Sequence, residues 1–427
     1  DFDHESDHTK ELIDRVAEFW LTEFKVDGFR FDFTKGFTNL LTGGEGWNYN
    51  IQRINLLKRY ADFIWSVNPD AYVILEHFTD NTEEKELAQY RSDEGMGMLI
   101  WGNITHAYNE ASMGWLSNSN FSSVSYINRG WSVPHLVGYM ESHDEERMMY
   151  KNITYGNSSN PDHNVKNLDI ALQRQKLAGA FFFTIPGPKM IWQFGELGYD
   201  ISIDFNGRTG RKPVKWDYFG VWGRKNLYNA WAELIALRKA FPTFRTDNFT
   251  TSLSGAGKRI TLLHDEMDAV IVGNFDVAEQ DISITFPSTG QWFEYFTQTD
   301  VTIESTSQSF SFAPGEYRMY TTTFIERDDF ILATPTVEQI SKKLETNVWP
   351  NPFSNKVNIS ILSDRVQSAD ITIYDVNGRI IDSIFKGNLT TGENNLEWVN
   401  SKNVKSGIYF LVINTQLTRE VKKLILQ

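Results

Sequence analysis

The sequence predicts an α/β chain in three parts: an N-terminally truncated (β/α)8 TIM barrel, an all-β sandwich and a C-terminal Ig-like β-sandwich. Three observations predict it. Helical and strand periodicities alternate from Asp1 to Pro242, carboxylates recur at the ends of apolar strands, and beyond Thr243 the pattern changes to short β runs separated by turn residues. At about 150 residues per domain, a chain of 427 has room for several such units.

Leu12, Ile13, Val16, Phe19 and Trp20 recur at helical spacing, so a helix is expected over Thr9–Phe24 with Ser6 or Asp7 as its N-cap. In the following Lys25–Phe33, Phe29, Phe31 and Phe33 alternate with Gly28, Arg30 and Asp32, the period of a strand. A helix over Ile51–Val67, closed by Asn68-Pro69, leads to a second strand over Ala71–Glu76. Gly97–Trp101 and Leu136–Met140 read as two more strands, and a helix over Asp169–Phe183 delivers a fifth at Pro188–Trp192. A last helix spans Asn226–Ala240. An open doubly wound sheet would also accommodate this order. No glycine-rich phosphate turn follows any strand, however, and polar residues gather at strand C-terminal ends, where a barrel builds its active site. Five strands cannot close an eight-stranded ring, so three are expected upstream of Asp1.

The predicted domains are therefore 1–242 (partial barrel), 243–323 (sandwich), 324–346 (linker, with one or two helical turns at Val337–Leu344) and 347–427 (the second sandwich). Arg259–Leu263, Ala269–Val272 and Asp281–Phe286 are strands of the first sandwich. Val357–Ile361, Ile371–Tyr374, Ile380–Phe385, Leu396–Val399, Ile408–Ile413 and Val421–Leu426 belong to the second, of about seven.

Composition narrows the function. A net charge of −14 repels phosphate backbones and anionic lipid, which argues against nucleic-acid and membrane-surface partners, and no apolar run is long enough for a transmembrane segment. The absence of cysteine excludes disulfides, thiolate metal sites and a cysteine nucleophile. Thirty Phe, 17 Tyr and 13 Trp supply aromatic cores or flat ligand platforms.

Asp32, Glu76 and Asp144 each fall at the end of a predicted strand, so three carboxylates converge on one mouth. Crowded carboxylates push one pKa up and leave an acid beside ionised partners, the equipment of glycoside hydrolysis. Arg30, two residues before Asp32, points to the same side and favours its ionised form. Each group also has a plainer reading: Arg30–Asp32 as an interior salt bridge, Glu76 as a strand-end residue reaching solvent, and His143–Arg147 as a solvated charged loop.

Val26–Gly36, Ile74–Phe78 and Glu141–Glu145 resemble the second, third and fourth signature regions of the α-amylase family of glycoside hydrolases, in order, and Ile185–Glu196 resembles that family's last barrel strand and turn. The resemblance covers about Asp1–Pro242. It implies retaining hydrolysis of α-glucosidic bonds in starch- or glycogen-like α-glucans, with Asp32 as nucleophile, Glu76 as general acid/base and Asp144 gripping the sugar. It also implies substrate contacts from Arg30, His143, Lys35 and Trp101, with Trp192 and Tyr139 as further stacking candidates. Lys35-Gly36 stands where many members have Lys-His, and Ser142 where many have Asn. The first signature region, with its frequent calcium ligand, has no counterpart, so Ca2+ would belong to the full-length protein and no metal ligand is assigned here. A branching or transglycosylating enzyme, and a non-catalytic surface starch-binding protein, are the alternatives.

Val348–Phe353, Ile371–Arg379, Lys405–Val412 and Val421–Leu426 resemble the C-terminal sorting domain of the type nine secretion system of Bacteroidetes. This implies the secretion machinery as a partner and a secreted or surface-attached location. An ordinary carbohydrate-binding sandwich is the plainer reading.

Overall fold

The computed structural model describes residues 2–40, 46–327, 345–363, 367–375, 380–400, 404–415 and 419–427. They fall into two compact units, divided between Leu332 and Ala333.

The first unit opens with helices alternating with parallel strands, two helices standing between the last two strands: α1 (Asp7–Thr22), β1 (Gly28–Phe31), α2 (Ile51–Val67), β2 (Tyr72–Leu75), α3 (Asn81–Gln89), β3 (Leu99–Asn103), α4 (Thr105–Met113), β4 (Leu136–Tyr139), α5 (Met148–Tyr155), α6 (Leu168–Phe183), β5 (Lys189–Met190) and α7 (Trp222–Ala240). The sheet order β1-β2-β3-β4-β5 never reverses, and every pair is parallel. Such progressive winding gives a curled half-barrel rather than a doubly wound sheet. All five expected strands are present.

Local chemistry sets the helix starts. Asn50 accepts from the backbone N–H groups of Gln52 and Arg53 to open α2, Asp80 from Thr82 to open α3, and Asn167 from Asp169 to open α6. Ser6 precedes α1 but makes no side-chain cap. The short helices α3, α4 and α5 escape the periodicity reading because their buried faces carry polar residues, Glu83 and Glu84 on α3 and Asn109 and Ser112 on α4. The apolar stripe read on α1 proves exposed: Leu12, Val16, Phe19 and Trp20 face solvent, and Phe19, Trp20 and Phe24 form a cluster of touching rings. Only Thr9, Ala17 and Leu21 of α1 are buried, because β1 is the end strand of the sheet and little packs beyond it.

Eight further strands complete the unit: β6 (Phe249–Ser252), β7 (Gly257–Leu262), β8 (Ala269–Asn274), β9 (Gln280–Thr285), β10 (Gly290–Glu294), β11 (Thr299–Ile303), β12 (Ser307–Phe312) and β13 (Tyr317–Thr321). They form an antiparallel sheet, β11-β10-β13-β8-β7-β6, and a pair, β12-β9. Every residue of β8 is buried. Val270 and Val272 pack with Ile284, Phe286, Trp292 and Tyr320, whereas Ala269 and Ile271 join the core of the half-barrel. A Cβ on Gly273 would meet Leu177 and Phe181 of α6 at 2.5 and 2.7 Å. The segments 1–242 and 243–323, separable by sequence pattern, thus share one core.

The expected linker is structured at both described ends. Ile325 is buried in that core, Arg327 Nε donates to Glu233 Oε1 at 2.7 Å, and β14 (Glu345–Trp349) is a strand of the second unit. The helical turn expected over Val337–Leu344 lies outside the described residues.

The second unit contains β14 with β15 (Lys356–Ser363), β16 (Gln367–Asp375), β17 (Ile380–Leu389), β18 (Gly392–Val399), β19 (Gly407–Thr415) and β20 (Arg419–Leu426). Two antiparallel sheets, β14-β15-β18 and β17-β16-β19-β20, enclose a core that includes Val357, Ile359, Ile371, Ile373, Trp398, Leu411 and Ile413. These alternate along their strands, as expected of sheets with one buried face.

Arg174 fastens the two halves of the first unit. Fully buried, it donates to the carbonyls of Ala111 and Ser112 at the end of α4, at 2.8 and 2.5 Å, and to those of Phe275 and Asp276 beyond β8, at 2.6 and 3.2 Å. Replacing it by Met removes a donor from three buried carbonyls and one half-buried one, so Arg174→Met is expected to lower the unfolding free energy by about 3 kcal/mol or more in urea titration.

Candidate functional site

The register of the half-barrel places two of the three expected carboxylates side by side. Phe31 pairs with Leu75, the backbone ladder continues as Glu76 N–H to Phe31 O at 3.0 Å and Thr34 N–H to Glu76 O at 2.8 Å, and Asp32 and Glu76 follow their strands directly. Alternation sends Phe29 and Phe31 into the hydrophobic core and Arg30 to the opposite face.

Arg30 bridges the pair. Its Nη1 donates to Asp32 Oδ1 at 2.6 Å, and its Nη2 lies 2.7 Å from Glu76 Oε1. Glu76 is further held by the Phe33 N–H, which reaches Oε2 at 2.9 Å because Phe33 adopts a left-handed conformation, with φ of 45°. The two carboxylates differ in exposure: the Asp32 side chain is 78% exposed and that of Glu76 only 9%. An interior salt bridge does not describe Asp32, nor does a solvated strand end describe Glu76.

Asp144 stands farther from its strand than the sequence suggests. β4 ends at Tyr139, so Asp144 belongs to the following loop, where His143 Nε2 lies 3.2 Å from its Oδ2 and both side chains are about half exposed. The loop is not merely solvated. Arg147 is buried and donates to the carbonyls of Ser142 and Glu145, and Glu146 accepts from Ser202 Oγ and the Ile203 N–H, tying the loop to the segment after β5.

Glu145, absent from the sequence-derived set, is a fourth carboxylate here. It accepts from Asn103 Nδ2 at the end of β3 and from Ser142 Oγ. Burial raises its pKa, Asp144 and Glu76 add to the shift, and Ser142 and His143 oppose it. The acidic run after His143 is its only trace in the sequence, and Asn103, two residues beyond Trp101 on the same strand face, has none.

The remaining candidates are placed as follows. Trp101 is partly buried, with the Arg30 guanidinium 5.3 Å above its ring and Tyr139 at 4.8 Å. Tyr139 is buried. Trp192 sits 5.8 Å from the His143 ring. With Arg147, Arg208 and Lys212, these two line a cavity of about 290 Å3 beside Asp144. Lys35 is not at the surface: it is 4% exposed, its ammonium lies 3.4 Å from the ring centroid of the exposed Trp47, and its carbonyl accepts from Arg53. Among the described residues no group of three or more His, Asp or Glu is placed to hold a metal ion.

Glu141, ahead of the loop, is a buried acid whose Oε1 accepts from the Met148 N–H and caps α5. Burial pushes its pKa up from 4.5 to about 7, opposed by Met148 and Arg147 and reinforced by Glu196 and Glu146. Between these two values the folded protein keeps a proton that the unfolded chain has released, so stability is highest at the acid end and falls as pH rises toward 7. Glu141→Gln preserves an acceptor for Met148 and removes the ionisation. Denaturant titrations at pH 5 and pH 8 should show this dependence, worth up to about 3 kcal/mol in the parent, flattened in the variant.

Comparison with known proteins adds two findings. Residues 347–427 match the family model of the secretion system C-terminal sorting domain, so the protein is secreted or attached to the cell surface by the type nine route. No helix among the described residues is long and apolar enough to cross a membrane. No curated protein matches by sequence. Among solved structures, the α-amylase of Geobacillus thermoleovorans in complex with acarbose matches with a TM-score of 0.53 at 16% identity, over 74% of this chain and 64% of that one. The α-amylase of H. orenii gives 0.52 at 16%, over 75% and 65%. A cyclomaltodextrinase gives 0.52 at 17%, over 74% and 49%. At these identities the likeness is one of fold, and the chain spans less than two thirds of the length of each of these structures.

Proposed function

We propose that the first unit is the greater part of a retaining glycosidase acting on α-glucosidic bonds of starch- or glycogen-like α-glucans. The observation that carries this reading is the Arg30 guanidinium held between an exposed carboxylate and a nearly buried one at neighbouring strand ends. Retaining glycosidases place two carboxyls about 5 Å apart, one to attack and one to transfer a proton, and a single planar fork is suited to hold two carboxylates at short range.

In this reading, Asp32 attacks the anomeric carbon as the glycosidic C–O bond breaks, and Glu76 gives its proton to the departing sugar oxygen. Water then attacks the glycosyl–Asp32 ester. Glu76 takes the water's proton and Asp32 leaves as a carboxylate, which regenerates both groups. The Arg30 guanidinium holds the Asp32 carboxylate in place for attack, and exposure gives it access to the sugar. Asp144 and His143, both accessible on the loop after β4, are suited to accept from and donate to sugar hydroxyls. The similarity of fold to α-amylases and a cyclomaltodextrinase supports the substrate class, and a sorting domain suits an enzyme whose polymeric substrate lies outside the cell.

The same reading requires a closed ring. β1 and β5 are the end strands of the sheet, and the apolar surface of α1, together with Val214, Trp216 and Trp222 after β5, is exposed. Further parallel strands would cover both.

In the protein with its ring completed, Asp32→Asn is expected to reduce hydrolysis of soluble starch by about a thousandfold or more while α-glucan binding in affinity electrophoresis persists. Retained turnover would overturn the assignment. Removing residues 347–427 is expected to leave the enzyme in the periplasm, read by cell fractionation; unchanged export would count against the sorting role.

A further inference from the structure

Beneath the candidate acid lies a chain of fully buried polar side chains that the proposed chemistry leaves unused. Thr34, His77, Glu83 and Arg53 are each 0% exposed. Thr34 Oγ1 is 2.8 Å from His77 Nδ1, and His77 Nε2 is 2.8 Å from Glu83 Oε1. The Glu83 carboxylate accepts from Arg53 Nε at 2.6 Å, from Arg53 Nη2 at 2.8 Å and from the Asn50 N–H at 2.8 Å. Arg53 also donates to the carbonyls of Lys35 and Gly46, at 2.7 and 3.0 Å. The chain thus runs from α2 and α3 to residues just beyond the two candidate carboxylates: Thr34 two places after Asp32, and His77 one place after Glu76.

Its upper end grips the backbone of the site. Thr34 N–H and Thr34 Oγ1 both lie within bonding distance of the Glu76 carbonyl, at 2.8 and 3.0 Å, and the neighbouring Phe33 N–H holds the Glu76 carboxylate. Whatever fixes Thr34 against residue 76 therefore fixes where Glu76 points relative to Asp32.

Proton inventory sets the polarity of the chain. Glu83, saturated with donors, can only accept, so His77 presents Nε2–H to it. Thr34 owns one hydroxyl proton and faces two acceptors, Nδ1 of a neutral His77 and the Glu76 carbonyl. Burial lowers the His77 pKa, Glu83 opposes this, and the Arg53 and Lys35 cations reinforce it. With His77 neutral, the hydroxyl proton goes to Nδ1 and the Glu76 carbonyl keeps the Thr34 N–H.

We propose that Thr34, His77 and Glu83, anchored by Arg53, form a positioning relay that holds Glu76 in register with Asp32. The proposal rests on the hydrolase reading for its effect on turnover, but not for its geometry. An ångström of misplacement at such a site costs on the order of a hundredfold in rate. In the protein with its ring completed, Thr34→Val, which keeps the volume and loses the hydroxyl, should lower kcat on soluble starch by about ten- to a hundredfold with KM changed less than about twofold. Thr34→Ser, which restores the hydroxyl, should return kcat to within about threefold of the parent at an unchanged pH optimum. Equal kcat in Val and Ser variants, or a loss confined to KM, would overturn the relay. A second arm needs no turnover: nitrogen-15 NMR of labelled histidines should show His77 as the Nε2–H tautomer, and an Nδ1–H tautomer would overturn the relay. A parent protein that shows this tautomer but cleaves no glucan would sink the hydrolase reading alone.

Discussion

Two carboxylates at adjacent strand ends repel each other, and their coexistence in this protein depends on the one guanidinium between them. Arg30 contacts both carboxyl groups, at 2.6 and 2.7 Å, and in a partly desolvated cleft a cation at that range interacts with a carboxylate by several kcal/mol. Its position follows from the strand itself. The phenylalanines on either side turn into the core, and the same alternation turns Arg30 to the side where Glu76, Trp101 and Tyr139 gather. The other groups of the site are arranged around this contact, including the backbone N–H of Phe33 and the loop that carries His143 and Asp144.

The strands of the half-barrel are short, two to five residues, so the ladder cannot by itself hold the loops that extend beyond it. Buried arginines do so instead. Arg53 collects carbonyls from the loop after β1, Arg147 braces the loop after β4, Arg174 ends α4, and Arg224 donates to Leu197 and Gly198 after β5. Each guanidinium offers five donors in a rigid plane, which suits it to irregular backbone where carbonyls face in several directions.

Much of this was legible in the residues. All five parallel strands lie where period-two or continuous apolar runs placed them, and α2 matches its expected bounds, because strong periodicity and an Asn-Pro stop leave little ambiguity. Arg30, Asp32 and Glu76 could be read together because they are local to two strand ends. Asp144 was less well placed, since the sequence does not say where β4 stops and its loop begins. Lys35 enters the sequence reading only as a substrate contact implied by the resemblance, and nothing in Lys35-Gly36 discloses that it is buried with Trp47 over its ammonium. Asn103 ends β3 and Glu145 lies on the loop after β4, so they meet only in three dimensions. The stripe on α1 shows the opposite failure: periodicity correctly predicts a helix, but burial depends on neighbours that periodicity does not contain.

The glycine at position 273 carries a lesson about modularity. It lets the side chains of α6 settle directly on a strand of the antiparallel sheet, so the two halves of this unit were shaped against each other and not merely joined end to end. Recombination at the compositional boundary near Pro242, attractive to anyone building chimaeras from sequence patterns, would expose a helix face whose complement lies on the far side of the cut. Crossover points for exchanging parts of this protein belong instead in the stretch between its two compact units.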